Sequence, residues 1–368
     1  MLVVTLLLSL ILTACQSEGS DVGADSNGND KGKAESSGSV PAVTANWTIE
    51  EAIENHMRFS CKGSSSLYAV DTKLYASTNS MMMAKGSFQN YVELVASGEA
   101  SSTIRQIQIE SYQYETMILD SNGKIWYRRK NIFPKYNITY FSCKSTSGSG
   151  TPCVLAAVTD EGKVIWDNAY SLEKPKEQEG LEGVKYVDVS KNIIAYVRED
   201  GTAGYCKAGQ ECHEIEGWND IAMVFFGGKD VVLGLKKDGT LVAETCEGGE
   251  ALYSPEILSW RDIVYVDWGF NFVAGLKSDG SVVYALDSGV SNSERAAVLD
   301  NWSNVMVLST FGDIGAITAD NVLLGDAQDL VYAWNLTQPW EGNEAALREH
   351  IEDEKNHRTY TEKLAEID

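Results

Sequence analysis

The chain has 368 residues, with 53 acidic against 30 basic side chains and a formal net charge of -23. Such a charge repels phosphate and excludes nucleic acid as a partner. The length is ample for a large core, and no stretch beyond the first fifteen residues is long and apolar enough to read as a membrane-spanning helix.

At the start, a largely apolar run from Leu2 to Ile11 is followed by Leu12, Thr13, Ala14 and Cys15. An apolar core ending in small residues reads as a secretory signal. Leu-x-Ala-Cys resembles the bacterial lipobox, which implies cleavage after residue 14 and a diacylglyceryl group on Cys15. No Lys or Arg precedes the apolar run, a departure that points to a start a few residues upstream. Residues 15–45 are rich in Ser, Gly, Asp, Asn and Ala. That composition cannot bury enough surface to fold, so it reads as a disordered, flexible, lipidated tether. Thr48 with Glu51 forms a capping-box pattern and predicts a short helix toward Asn55.

From here the chain repeats. Trp218-Asn-Asp-Ile-Ala-Met-Val224 recurs as Trp260-Arg-Asp-Ile-Val-Tyr-Val266 and as Trp302-Ser-Asn-Val-Met-Val-Leu308, with the tryptophans 42 residues apart each time. Gly234-Leu-Lys-Lys-Asp-Gly-Thr-Leu-Val-Ala243 matches Gly275-Leu-Lys-Ser-Asp-Gly-Ser-Val-Val-Tyr284. Each of these second blocks reads as a hairpin on a two-residue Asp-Gly turn with positive φ at both centres. Weaker copies turn at Asn122-Gly123, Glu161-Gly162, Asp200-Gly201 and Asp320-Asn321, and a first copy turns at Asp71-Thr72 without Gly. The turns fall near 72, 123, 162, 201, 239, 280 and 321, which makes seven units. The first interval is longer, so an insertion of about ten residues is expected between Met81 and Ser102.

Seven strand-rich units of about 40 residues predict an all-β, seven-bladed β-propeller over 46–334. Small residues stand five positions before the turn glycine at Ala157, Gly234 and Gly275, with Ala316 at the matching place, and read as crowded positions on the innermost strands. Ile118 and Tyr196 break that pattern. Leu330 to Trp334 is a candidate closing strand that completes one blade from the C-terminal side. Residues 335–368 are charged and mostly acidic, with Leu347 and Ile351 four apart and Tyr360, Leu364 and Ile367 on one face, which predicts a short helical tail.

The segment Trp-x-Asp-Ile-Val-x-Val, followed by Gly-Leu-Lys-x-Asp-Gly-Thr-Val, resembles the regulator of chromosome condensation repeat. The resemblance runs from about Met57 to Trp334 and is strongest in the last three copies; copies one to four lack the Trp, and Leu181 stands at that place in copy four. It implies a seven-bladed propeller. The nuclear exchange activity of the family's founder is not carried over to an acidic, exported chain. A secreted member of the family inhibits β-lactamase through aromatic loops on one face, which implies a protein-binding role here. On that precedent the candidate partner-binding residues are Tyr112, Tyr114, Phe226, Lys229, Trp268, Phe270 and Phe311.

With Cys15 lipidated, six cysteines remain. Cys143 with Cys153, and Cys206 with Cys212, flank short loops and are candidate local disulfides, while Cys61 and Cys246 have no evident partner. Whether the six are oxidised stays open at this point. The four histidines stand in no metal-ligand spacing, and no nucleophile elbow or phosphate-cradling loop is present. The sequence therefore predicts no enzyme, no metal and no cofactor. It describes a lipid-anchored, extracytoplasmic propeller of a bacterial envelope that binds a protein through loops on one face. Two alternatives are a glycan-binding or glycan-cleaving propeller using the axial mouth, and a structural component of an envelope assembly.

Overall fold

The structure is a computed structural model. It describes residues 45–62, 65–76, 87–109, 116–127, 129–143, 154–168, 172, 174–227, 230–246, 254–268, 272–286, 297–310, 315–320, 322–325 and 332–336. Cys15, the tether and the tail beyond 336 lie outside the described residues.

Helix α1 (Ile49–Met57) begins at Thr48, whose hydroxyl accepts from Glu51 N–H at 3.2 Å while the Glu51 carboxylate accepts from Thr48 N–H at 2.9 Å. The capping box expected from the sequence is thus present. The first sheet follows as β1 (Phe59–Lys62), β2 (Ser65–Val70) and β3 (Lys73–Ala76). Helix α2 (Ser87–Ala96) then falls where the insertion was expected. The second sheet is β4 (Ile104–Ile109), β5 (Thr116–Asp120), β6 (Ile125–Tyr127) and β7 (Lys130–Asn131). The third is β8 (Ile138–Cys143), β9 (Val154–Thr159), β10 (Val164–Asn168) and β11 (Lys176–Glu177). The fourth is β12 (Val184–Ser190), β13 (Ile193–Arg198), β14 (Ala203–Lys207) and β15 (Cys212–Glu214). Three three-stranded sheets complete the series: β16 (Ile221–Gly227), β17 (Val231–Lys236) and β18 (Leu241–Thr245); β19 (Ile263–Trp268), β20 (Phe272–Lys277) and β21 (Val282–Leu286); β22 (Val305–Ser309), β23 (Gly315–Thr318) and β24 (Leu323–Gly325). Last, β25 (Tyr332–Asn335) pairs antiparallel with β3, so the first sheet carries its final strand from the far end of the chain.

The seven sheets are the blades of a propeller. The first strand of each blade packs on the first strand of the next from blade one through blade six; β20 meets β22, and β22 meets β1. The ring therefore closes, and the first strands are innermost. The second strands β5, β9 and β13 lie between the inner strand and the rest of the blade and are buried almost throughout.

Two sequence expectations are corrected. The Asp-Gly turns are not two-residue turns with two positive φ values. In blade five Gly239 N–H donates to Lys236 C=O and Lys236 N–H to Thr240 C=O, and of the turn residues only Gly239 has positive φ, +77°. This is a type I turn closed by a left-handed glycine, the three-residue hairpin. Asp238 serves it with its side chain, accepting from Thr240 N–H at 3.0 Å and Thr240 Oγ1 at 2.6 Å; Asp200 with Thr202 and Asp279 with Ser281 repeat the bond.

The turn glycine also joins blades. Gly239 C=O accepts from Ile263 N–H, and the same stitch runs Gly123 to Ile138, Gly162 to Val184, Gly201 to Ile221 and Gly280 to Val305. The residue just before the receiving strand is Asp220, Asp262 or Asn304 in the last three copies, each with φ near +60°. The repeat spells Trp-x-Asp/Asn because a left-handed residue is required there and Asp and Asn tolerate it.

The second correction concerns the small residues. Ala157, Gly234, Gly275 and Ala316 lie on the second strand of their blades, not the innermost. In blades five and six they make room for the repeat's tryptophan: a Cβ on Gly234 would stand 2.7 Å from Trp218 Cζ3, and one on Gly275 3.0 Å from Trp260 Cε3. Blade four solves the same space differently. Leu181 replaces the tryptophan and Tyr196 fills the gap, with its opposed residue Gly204 left bare beneath the Tyr196 hydroxyl.

Candidate functional site

The inner strands line a central channel of which about 120 Å³ is open, bounded by Gln106, Gln108, Tyr140, Ser142, Asp188, Tyr265, Asp267 and Ser309 among others. Its polar side chains tie blade to blade. The Gln106 amide donates to Phe141 C=O at 2.7 Å and accepts from Phe141 N–H at 3.0 Å, and Gln108 does the same with Cys143. Asp188 accepts from Ser142 Oγ at 2.6 Å on one side and from Phe226 N–H at 2.7 Å on the other. Asp267 accepts from Trp268 N–H and from Thr310 N–H at 2.6 Å. Ser309 Oγ donates to Cys61 C=O at 3.0 Å, and Ser60 Oγ accepts from Ile109 N–H at 3.0 Å. Side chains thus supply the hydrogen bonds that splayed neighbouring strands cannot make with each other. Burial, then the charges and hydroxyls around them, holds the Tyr140 and Tyr265 phenols well above their ordinary range.

Helix α1 lies over one mouth of this channel. Ala52, Ile53 and His56 are buried, and the helix packs on β19, β22, β1 and β4. His56 stacks on Tyr265 with ring centroids 3.4 Å apart; its Nδ1 is 2.6 Å from Ala52 C=O and its Nε2 accepts from Leu308 N–H at 3.0 Å. The acceptor role of Nε2 requires a neutral ring with the proton on Nδ1. Burial pushes the His56 pKa down to about 3, against the two backbone hydrogen bonds. The segment ahead of the helix is pinned to the same mouth: Trp47 N–H donates to Ser278 C=O, its indole to Val305 C=O at 2.8 Å, and Ala45 N–H to Asn304 Oδ1 at 3.1 Å.

The helix leaves the sector above blades two to four uncovered. There an open cleft of about 440 Å³ is lined by Glu54, Arg58, Arg105, Tyr140, Asp160, Lys185, Tyr186 and Glu199. The Tyr140 and Tyr186 rings meet edge to face at 5.1 Å, and Lys185 Nζ stands 5.1 Å from the Tyr186 centroid. The Tyr186 phenol is pushed up to about 12 by burial and then by Glu50 and Glu54. Sequence reasoning missed this cleft. Its residues come from the helix and three blades, and no local pattern connects them.

Of the seven residues expected to meet a partner, Phe226 and Trp268 end inner strands and are buried at 4% and 5% exposure. Both side chains belong to buried hydrophobic clusters, Phe226 with Ile193 and Ala195 of the blade before it among others. Tyr112, Tyr114, Lys229, Phe270 and Phe311 lie outside the described residues. Cys143 is a buried thiol and Cys153 is outside the described residues, while Cys206 and Cys212 oppose one another across β14 and β15 as free thiols. Among the described residues, no group of three or more His, Cys, Asp or Glu side chains could hold a metal ion.

Fold and site together define a seven-bladed β-propeller capped at one mouth by its own N-terminal helix. Among solved structures it is similar to Prp20p from Saccharomyces cerevisiae, described with its binding to Gsp1p and histones, at 13% identity over 71% of this chain and 82% of that one, with a TM-score of 0.46. It is also similar to yeast RCC1 (Prp20) bound to Kap60, at 11% identity over 88% and 87%, TM-score 0.47. A third likeness is PorZ, a surface component of the type-IX secretion system of Porphyromonas gingivalis, at 9% identity over 78% of this chain and 39% of that one, TM-score 0.39. No family model and no curated protein sequence matches the chain.

Proposed function

We propose that the chain is a lipid-anchored, extracytoplasmic propeller that binds another protein. The anchor is Cys15 and the stalk is the tether before Ala45. The observation that carries the binding role is the cleft beside α1. Tyr and Arg side chains grouped in a concavity are the residue types that dominate protein interfaces. Arg58, Arg105 and Lys185 stand beside Glu54, Asp160 and Glu199 at this cleft, so its charges balance and favour a partner segment that carries both signs, with an aromatic or apolar side chain on the tyrosine floor. Tyr112, Tyr114, Lys229, Phe270 and Phe311 are a second proposed contact set. Catalysis is not proposed: Asp188 and Asp267, the carboxylates on the axis, are engaged in ties between strands.

The test uses the full chain as bait against envelope extract of the source cells. Beside it run Arg105→Glu/Lys185→Glu and a Tyr112/Tyr114/Phe270/Phe311→Ala variant, each checked for an unchanged unfolding midpoint. A protein captured by the native chain and lost with the charge-reversed cleft supports the cleft. Loss only with the aromatic variant moves the site to the loops. Retention on envelope polysaccharide with no protein captured overturns the reading in favour of a glycan-binding propeller.

A further inference from the structure

At the rim between blades three and four two thiols face each other. Cys206 and Cys212 are Cα partners in the antiparallel β14–β15 pair. Ile215 N–H donates to Ala203 C=O, which marks that opposed pair as hydrogen-bonded. Counting along the ladder, Tyr205 with His213 is hydrogen-bonded and Cys206 with Cys212 is not. Non-hydrogen-bonded pairs approach to about 4.5 Å between Cα atoms, within the range a disulfide spans. No other pair of described cysteines is opposed: Cys61 faces Ser66 and Cys143 faces Leu155.

The pair is asymmetric. Cys206 is fully buried and Cys212 is half-buried. Cys206 and, after it, Gln178 and Arg198 hold the Cys212 thiol below its ordinary range against burial, whereas Cys212 and burial hold the Cys206 thiol above it. The loop joining the two cysteines is gripped by blade three. Gly209 N–H donates to Gln178 Oε1 at 2.9 Å and Gln178 Nε2 donates to Gln210 C=O at 2.6 Å. Trp166 lies so close over Gly209 that a Cβ there would be 3.1 Å from its ring. A bridge at the base of this loop would fix the edge of blade four in the geometry that blade three holds.

We infer that Cys206 and Cys212 are a reactive dithiol that closes to a cross-strand disulfide by exchange with a small-molecule or protein disulfide, fastening the outer edge of blade four beside blade three. The Cys212 thiolate attacks one sulfur of the oxidant and expels the other as a thiolate. Cys206 then attacks Cys212 Sγ in the mixed disulfide, its proton passes to solvent or the departing sulfur, and a second thiol leaves. Two protein thiols become one disulfide, and the oxidant's disulfide becomes two thiols.

The test takes the purified full chain, reduced and then equilibrated with oxidised and reduced glutathione, quenched by alkylation and peptide-mapped. The peptide holding both cysteines is expected to lose the mass of two hydrogen atoms and to escape alkylation. In the folded, reduced protein, alkylation of Cys212 is expected to be at least ~10-fold faster than that of Cys206, because the accessible thiolate is the nucleophile. Cys206→Ser is expected to stop at a glutathione adduct on Cys212, while Cys212→Ser leaves Cys206 unmodified. A stable glutathione adduct on Cys212 in the native chain, or both cysteines alkylated at every glutathione ratio, overturns the disulfide. An adduct forming on Cys206 in Cys212→Ser as readily as on Cys212 in Cys206→Ser overturns the assignment of the nucleophile. All of these readouts are made on the purified protein and stand whether or not the partner-binding reading holds.

Discussion

His56 is an imidazole that must stay neutral to do its work, since Nε2 accepts the Leu308 N–H while the ring lies buried on Tyr265. Its pKa is about 3 folded, against an ordinary 6.5. As pH falls below about 6.5 the unfolded chain takes up a proton that the folded chain refuses, so stability is full above that value and declines toward pH 3. At pH 5 the loss is about 2 kcal/mol, from roughly 1.4 kcal/mol per pH unit. Denaturant titrations of the native chain and of His56→Gln at pH 7 and pH 5 isolate the term: the native chain should lose about 2 kcal/mol more than the variant, and equal losses would remove His56 as its source. Gly234 poses a purely steric case. Gly234→Ala pushes a Cβ to 2.7 Å from Trp218 and should destabilise by about 1–3 kcal/mol. With Trp218→Leu already in place the same alanine should cost much less, a coupling that a double-mutant cycle reads directly; additive effects would mean that the ring and the glycine are not one packing unit.

At the scale of elements, what the sequence shows depends on whether the partner of a pattern is local. The hairpins are legible because apolar runs and Asp-Gly sit within ten residues of one another, and α1 is legible because Thr48 and Glu51 carry its cap. The turn type is not, since Asp-Gly serves both hairpin classes, and what separates them is the backbone closure between Lys236 and Thr240 with positive φ at Gly239 alone. The position of α1 is not legible either. Its buried face of Ala52, Ile53 and His56 announces a docking surface without naming it, and the surface includes a strand residue 252 positions away. The same limit explains Phe226 and Trp268. Their spacing fixes equivalent places in two blades, but whether a ring there faces solvent depends on the adjacent blade, and here Phe226 N–H is bonded to Asp188 of the blade before it. The cleft lies furthest from sequence reach, because it exists only where the helix stops short of covering the mouth.

For the whole molecule the decisive device is closure. Blade one takes three strands from the start of the ring and β25 from its end, with Tyr332, Ala333, Trp334 and Asn335 opposite Ala76, Tyr75, Leu74 and Lys73. Leu336 N–H then donates to Thr72 C=O at 2.7 Å. Blade one thus joins strands from both ends of the ring, so pulling the last strand away requires breaking a ladder. Ending the chain after Gly325 should expose the β3 edge and cost about 1–4 kcal/mol, taking the four cross-strand pairs at ~0.2–1 kcal/mol each. For a domain of this size that lowers the thermal midpoint by at least a few degrees, and the exposed edge should promote association of copies at high concentration. Ending it instead after Leu336 keeps β25 and should lower the midpoint less. If both truncations melt alike, closure by β25 contributes nothing measurable, and the ring is held by the stitches from turn glycine to inner strand that run from blade two to blade seven.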